Sequence, residues 1–389
     1  MDVTSKPLSV HSNMPEQGSV HVKSTSTGQN TVTQASTVAT TGLKTGVAGA
    51  AFEDPFQQQR KHLEIFAREV NLPSQKMQRL GQGSWGTVYK VTTQAGSESA
   101  LKVNRAPGLE AELRVDPNRA EVLALGLPPH PNVMKVESFM IGHRKTHDYK
   151  VISDPSQLRT LNLEDYFIAG VRTEVAKGES LYRLGYCITA HCVERVFYQL
   201  AEALSHLHSY QCAHRDISVL NIVVNPETYE LKLIDMGSAK TTLQRSESYV
   251  GASQLLESEG YSPLFKPKPH NAMALDLWEM GCVMFFCLTK RPIENFNSRT
   301  RCLDAPRSLK EGEENRPMYP SHNAKNFAEL SDQDKKAIIF SYMNREMRGY
   351  LDPVCLELVA GLLRFDPSKR PSAATVKSRL ESRRIGQTH

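Results

Sequence analysis

The period of the apolar positions changes once along the chain. Short β-branched or alternating runs at Met77–Leu80, Thr87–Thr92 and Ser99–Val103 predict strands. Further strands are expected near 133–141 and 166–175, with a helix between them over roughly 117–126. After Ser180 the spacing turns mainly helical, over 189–210, 274–289, 332–348 and 353–364. Residues 56–70 also carry helical spacing, with mixed charge. Strands first and helices later predict an α+β chain of two lobes, one β-rich and one helical. No internal repeat interrupts that order.

Length fits this division, because 389 residues exceed one compact domain. Composition sets off the first 50 residues, which are rich in Ser, Thr, Val, Gln and Gly. Such a segment buries too little apolar surface to offset its ordering entropy, and a disordered leader is expected. A net charge of +5 is mild for this length and does not argue for nucleic-acid binding. The apolar run Gly281–Leu288 is too short to span a bilayer and reads as a buried helix. No integral membrane association is expected.

The N-terminus lacks the pattern of a signal peptide. The seven cysteines lack metal-ligand spacing, which suits a reducing cytoplasm. Cys187, His191 and Cys192 lie close together and read as helix-start and core residues. The segment 300–330, containing Lys310–Glu314, reads as a solvated insertion.

Gly81-Gln82-Gly83-Ser84-Trp85-Gly86 is the first segment with chemistry in it. Glycines let a backbone approach phosphate oxygens, which its N–H groups can then cradle. The residues that follow, Thr87–Thr92, read as a strand. The glycines therefore sit in a hairpin and not before a helix, as a dinucleotide fingerprint requires. Lys102 stands mid-strand in Ala100-Leu101-Lys102-Val103, where a charge is costly unless paired. Glu110, Glu112 and Glu121 are candidate partners. Glu121 is preferred because Arg119–Leu125 is a good helical stretch, whereas the other two lie between Pro107-Gly108 and Pro117.

His214-Arg215-Asp216-Ile217-Ser218-Val219-Leu220-Asn221 is the strongest signal. Asp216 can accept the proton of an attacking hydroxyl, and Asn221 can bind a magnesium ion. A strand at Leu231–Ile234 then ends in Asp235-Met236-Gly237.

Taken in order, these segments resemble the eukaryotic-type protein kinase superfamily, over about residues 75 to 380. The resemblance implies a bilobal kinase fold. Residues 51–74 would form a helical extension, 75–176 the small lobe and hinge, 177–380 the large lobe and 381–389 a tail. It implies ATP and Mg²⁺ as cofactors and protein substrates as partners. Lys102 would hold the α- and β-phosphates, Asp235 and Asn221 the metal, and Asp216 the acceptor hydroxyl. Thr173 would be the gatekeeper, with Glu174 and Ala176 meeting adenine through backbone groups. Val88, Ala100 and Val223 would sandwich the ring. Asp276, in Asp276-Leu277-Trp278-Glu279-Met280-Gly281, would anchor the catalytic loop.

Some positions depart from the family. Ser218 stands where Ser/Thr kinases place a lysine. Glu259-Gly260-Tyr261-Ser262-Pro263-Leu264-Phe265 lacks the glutamate of A-P-E, so Arg370 must be held another way. Ser258 lies near a hydroxyl position of Ser/Thr kinases. Thr241, Thr242, Ser246, Ser248 and Tyr249 are candidate phosphate acceptors opposite Arg215. The departures motivate a second reading, a pseudokinase scaffold without phosphoryl transfer. A small-molecule kinase is a third. The Ser/Thr-rich leader also resembles those of bacterial effectors that act in a host cytoplasm.

Overall fold

The computed structural model describes residues 62–68, 77–82, 86–92, 96–104, 120–146, 148–184, 189–241, 271–304 and 322–386. Gly83, Ser84, Trp85, Cys187, Ser258, the four hydroxyl residues between 242 and 249, segment 259–265 and Lys310–Glu314 lie outside the described residues, as does the leader.

Strands β1 (Met77–Gln82), β2 (Gly86–Thr92), β3 (Glu98–Asn104), β4 (Val136–His143), β5 (Tyr149–Ile152) and β6 (Tyr166–Thr173) form one antiparallel sheet, in the order β1-β2-β3-β6-β4-β5. Helix α1 (Ala120–Gly126) lies between β3 and β4 in the chain. Residues directly opposite each other share a face of a sheet. Lys102 stands opposite Val88 on one side and Val171 on the other, while Ala100 stands opposite Thr173. These five residues therefore line one face.

On the opposite face Val91, Leu101, Val103, Met140, Phe167 and Ala169 are buried together with Leu63, Phe66 and Ala67 of the helical segment 62–68. That segment packs on the back of the small-lobe sheet. Gly170 makes room for it, since a Cβ there would lie 3.3 Å from the Phe66 ring and 2.9 Å from the Lys102 carbonyl. His62 Nε2 and the Tyr149 hydroxyl, 2.6 Å apart, fix its end.

The large lobe is built on α3 (Ala190–Ser209) and α4 (Ala272–Thr289). In α3, Val193, Val196, Phe197, Leu200, Ala201 and Leu204 are buried at the i, i+3, i+4 spacing that makes one apolar stripe. Thr189 caps its start by accepting from the Cys192 N–H. Helix α4 is apolar on all sides and buried along nearly its whole length, as a central helix must be. It is long and apolar enough to cross a membrane, and here it lies inside the protein.

Short strands join the lobes to the site. The chain runs through β7 (Glu179–Ser180), helix α2 (Leu181–Leu184), β8 (Cys212–Ala213), β9 (Ile222–Val224), β10 (Leu231–Leu233) and β11 (Lys240–Thr241). Strands β10, β9 and β7 form one small sheet, and β11 pairs with β8.

After the hairpin of β12 (Phe296–Asn297) and β13 (Cys302–Leu303) come α5 (His322–Ala328), α6 (Asp332–Tyr342), α7 (Arg345–Tyr350), α8 (Pro353–Leu362) and α9 (Ala373–Gly386). Two expectations are corrected here. The single helix expected over 332–348 is two, because Met343 is extended and the Asn344 side chain caps α7 by accepting from the Met347 N–H. The expected loop at 300–330 contains α5, whose Ala324 and Phe327 are buried in the large-lobe core.

Candidate active site

Strand β3 carries Lys102 into the cleft beneath the small-lobe sheet. Its ammonium donates to both carboxylate oxygens of Asp235, at 2.7 and 3.0 Å. Asp235 follows β10 and takes a left-handed backbone, φ 60° and ψ 72°. Aspartate tolerates that region because its short carboxylate bonds locally, here to the Gly237 N–H at 3.2 Å. Burial pushes the Asp235 carboxyl up. The Lys102 ammonium, its hydrogen bonds, the Gly237 N–H and nearby His214 outweigh that, and the carboxyl is held below its ordinary value. Gly237 keeps the approach open, since a Cβ there would lie 2.9 Å from Asp235 Oδ1 and 3.4 Å from Lys102 Nζ.

Segment 214–221 forms the other half of the site. Asn221 Nδ2 donates to Asp216 Oδ2 at 2.8 Å and to the Asp216 carbonyl at 3.0 Å. The Ile234 N–H donates to the Asn221 carbonyl at 2.8 Å, which ties this loop to the residue before Asp235. His214 is a second tie. Its Nδ1 accepts from the Asp216 N–H at 3.3 Å, which leaves Nε2 to donate to the Ile234 carbonyl at 3.1 Å. The two loops, separated in the chain by β9 and β10, are thereby held in one register.

Beneath the loop, α4 supplies two buried carboxylates. Asp276 accepts from the backbone N–H groups of His214 at 2.9 Å and Arg215 at 2.7 Å, and contacts His208 Nε2 at 2.8 Å. Glu279 accepts from the Ile217 N–H at 2.9 Å. Arg215 needs this support because its φ is 67°, a region that costs an ordinary L-residue about 1–2 kcal/mol. Burial pulls the Arg215 guanidinium down from its ordinary value, with Asp276 and Glu279 opposing. Sequence reading missed the parts played by His208, His214 and Glu279. The legible signal was Glu279 itself, a second acid beside Asp276 in a mainly apolar helix, which is costly without a donor.

Other expected site residues lie on the elements around this pair of contacts. Val88, Ala100 and Thr173 share the cleft face of the sheet with Lys102. Val223 lies half-buried between fully buried Ile222 and Val224, so it faces away from the large-lobe core. Glu174 begins the linker between lobes. Its carboxylate accepts from the Lys135 N–H at 2.7 Å and from the Lys232 ammonium at 2.7 Å. The Thr173 hydroxyl donates to the Glu174 carbonyl at 3.0 Å, and that oxygen keeps a second lone pair. Ala176 lies further along the same linker, half-buried. Of the glycine segment, Gly81 and Gln82 end β1 and Gly86 opens β2. Glu121 lies on α1, and its side chain falls outside the described residues. Met236 is buried in the same core as Val122 and Ala124 of α1. Cys192 is likewise a core residue, and burial pushes its thiol up to about 11.

Among the described residues, backbone carbonyls help to hold Arg370. Its guanidinium donates to the carbonyls of Arg364, Ala274 and Phe365 at 2.9, 2.8 and 3.2 Å, and lies 5.3 Å from the centre of the Trp278 ring.

Comparison with known proteins adds the following. The family model described as the protein kinase domain matches residues 74–380. Mitogen-activated protein kinase 19 of Arabidopsis thaliana is 27% identical over 306 residues, covering 76% of this chain and 46% of the relative. Cyclin-dependent kinase B2-1 of the same plant is 24% identical over 304 residues, covering 77% of this chain and 90% of the relative. Glycogen synthase kinase 1 of Pyricularia oryzae is 25% identical over 305 residues, covering 76% and 68%. The chain thus spans about half the length of the first of these and most of the second.

Proposed function

The chain belongs to the protein kinase family, and from that premise we propose that it transfers the γ-phosphoryl group of Mg-ATP to serine or threonine hydroxyls of other proteins. The observation that carries this reading is the joint placement of two contacts, Lys102 with Asp235 and Asp216 with Asn221, on loops bonded to each other through Ile234.

The residues fit the cofactor. Magnesium takes oxygen ligands, and in nucleotide sites it is held by one or two protein groups, with phosphates and water completing the shell. Asp235 and Asn221 supply such oxygens, and the Cβ-free approach at Gly237 leaves room beside them. Among the described residues no cluster of three His, Cys, Asp or Glu side chains competes as a metal site. Bound magnesium would neutralise charge on the phosphate oxygens.

The chain's own groups do the rest. Lys102 pairs with nucleotide phosphate oxygens. Asp216, oriented by the Asn221 amide, accepts a hydrogen bond from the substrate hydroxyl and takes its proton as the phosphoryl group moves. Positioning and electrostatics supply most of the rate. The Ser258 position supports hydroxyl acceptors of serine and threonine.

Incubating the full-length protein with labelled ATP, Mg²⁺ and generic protein substrates tests this. Incorporation by wild type and its loss in Asp216→Ala is expected. Equal signal from both proteins would support the scaffold reading, which Ser218 motivates.

A further inference from the structure

We propose that His130 and His206 form an acid-sensitive latch between the loop after α1 and helix α3, and that protonation of the pair frees this loop from β10, the strand that leads into Asp235. The proposal goes beyond the phosphotransfer reading and does not rest on it.

The two imidazoles are stacked, with 4.6 Å between ring centres and 28° between planes. His130 comes from the loop that follows α1, and His206 from the last turn of α3. Tyr210, just past α3, meets the His206 ring edge to face at 5.1 Å. The stack thus joins a large-lobe helix to the loop that enters β4.

Hydrogen bonds fix where the protons sit. The Asn132 N–H donates to His130 Nδ1 at 3.2 Å, so that nitrogen carries a lone pair and the ring is neutral. His206 Nε2 lies 3.0 Å from the Pro128 carbonyl, which can only accept, so Nε2 carries the proton there. A proton added to His130 must go to Nδ1. It removes the acceptor of the Asn132 N–H and sets two donors against each other.

Asn132 passes the change on. Its side-chain amide donates to Gln199 Oε1 and to the Leu231 carbonyl, both at 3.0 Å. Its carbonyl accepts from the Leu233 N–H at 2.8 Å, and the Met134 N–H donates to the Leu233 carbonyl at 2.8 Å. Val133 and Leu233 therefore run side by side in parallel, next to the residues that lead into Asp235.

The surroundings favour the neutral ring. Among the described residues, the charged groups that face His130 are Glu202 of α3, Lys377 of α9 and Lys232 of β10. Glu202 is engaged by the Lys377 ammonium at 3.1 Å and the Tyr198 hydroxyl at 3.0 Å. Burial lowers the His130 imidazole from its ordinary value. His206 adds to the fall, Glu202 opposes it, and the two lysines add to it again. In the unfolded chain the ring titrates near about 6.5. Between that value and the folded one only the unfolded chain holds the extra proton, so stability falls as pH drops through the window.

Hydrogen–deuterium exchange of the full-length protein at about pH 5 and pH 7.5, corrected for the intrinsic pH dependence of exchange, tests this. In wild type, segments 130–135 and 231–236 should lose about tenfold in protection at the lower pH relative to α4. His130→Asn offers the N–H two residues on a carbonyl oxygen that does not titrate, and should abolish that loss. His206→Gln keeps a donor for the Pro128 carbonyl and removes the second imidazole. The His130 midpoint, read by NMR from its Cε1–H resonance, should then move up. Each exchange comparison is between two pH values for one protein, so a merely weaker fold does not mimic it. Should His130→Asn fail to fold, wild-type exchange and the His206→Gln titration decide alone. Wild-type protection unchanged at low pH, an equal loss in His130→Asn, or a His130 midpoint unmoved in His206→Gln overturns the latch. None of these readouts needs phosphoryl transfer, so the latch and that reading fail separately.

Discussion

Lys102 and Asp235, 133 residues apart in sequence, are joined by two hydrogen bonds of 2.7 and 3.0 Å. One charge comes from the small lobe and the other from the large lobe, so the contact ties lobe position to site assembly. Each group neutralises the other, and under the proposed function both would meet the same nucleotide tail. Replacing either one, by Lys102→Met or Asp235→Asn, should lower phosphoryl transfer by about 10²-fold or more. The double variant should be little worse than the worse single one, since groups acting as a unit lose function together. Steady-state kcat/KM for ATP in all four proteins checks this. Losses that multiply would show that the two residues act independently.

Asp276 should matter for folding as much as for turnover. Its carboxylate satisfies two backbone N–H groups of the left-handed turn at Arg215, and it is itself fully buried. Asp276→Asn keeps one acceptor oxygen and strands a buried donor, which costs about 1–3 kcal/mol. Asp276→Ala strands both and should cost more. Urea unfolding monitored by circular dichroism reads the loss. A midpoint within error of wild type for the alanine variant would contradict the role given to this carboxylate.

Much of this was legible in the chain, for reasons that differ by residue. The apolar stripe of α3 and the β-branched runs of β2 and β3 show because burial of one face imposes a period. The two helices at 332–350 were not separable, since their residues all suit a helix and the break depends on the Asn344 side chain turning to its own backbone. Helix α5 does not show in the sequence because a helix of 7 residues is too short for its buried positions, Ala324, Phe327 and Ala328, to repeat a period. In the site, Asp216, Asn221 and Asp235 could be named from local sequence. The ties made by His214 and Glu279 could not, because each partner is a backbone group distant in sequence.

Arg370 offers a test of how a buried guanidinium is held by carbonyls. Three carbonyl acceptors and the Trp278 face fit a planar fork with five N–H donors. Lysine keeps the charge but cannot reach three acceptors in that plane or stack on indole as well. Arg370→Lys should therefore destabilise by about 2 kcal/mol, and Arg370→Ala by more. Thermal unfolding at neutral pH checks both. A lysine variant as stable as wild type would mean that charge alone suffices at this position.

Lys335 predicts a pH dependence of stability. It lies on α6 and is 1% exposed, with Asp332 Oδ1 3.8 Å from its ammonium. Burial lowers its amine to about 8; Asp332 opposes that fall, while Arg364 and Arg370 add to it. In the unfolded chain the amine titrates near 10.4. Between those values the unfolded chain binds a proton that the folded chain does not, so this group makes stability rise with pH through that window. Below it, both states are charged and the full cost of burying the ammonium is present. Lys335→Met removes that cost and keeps the volume. The variant should be more stable than wild type at pH 7 by about 1–3 kcal/mol. The advantage should shrink from pH 8 to pH 10 as the wild-type amine loses its proton. Denaturant midpoints for both proteins at pH 7, 8.5 and 10 measure it, and parallel pH profiles would show that the ammonium is stabilised in place by its surroundings.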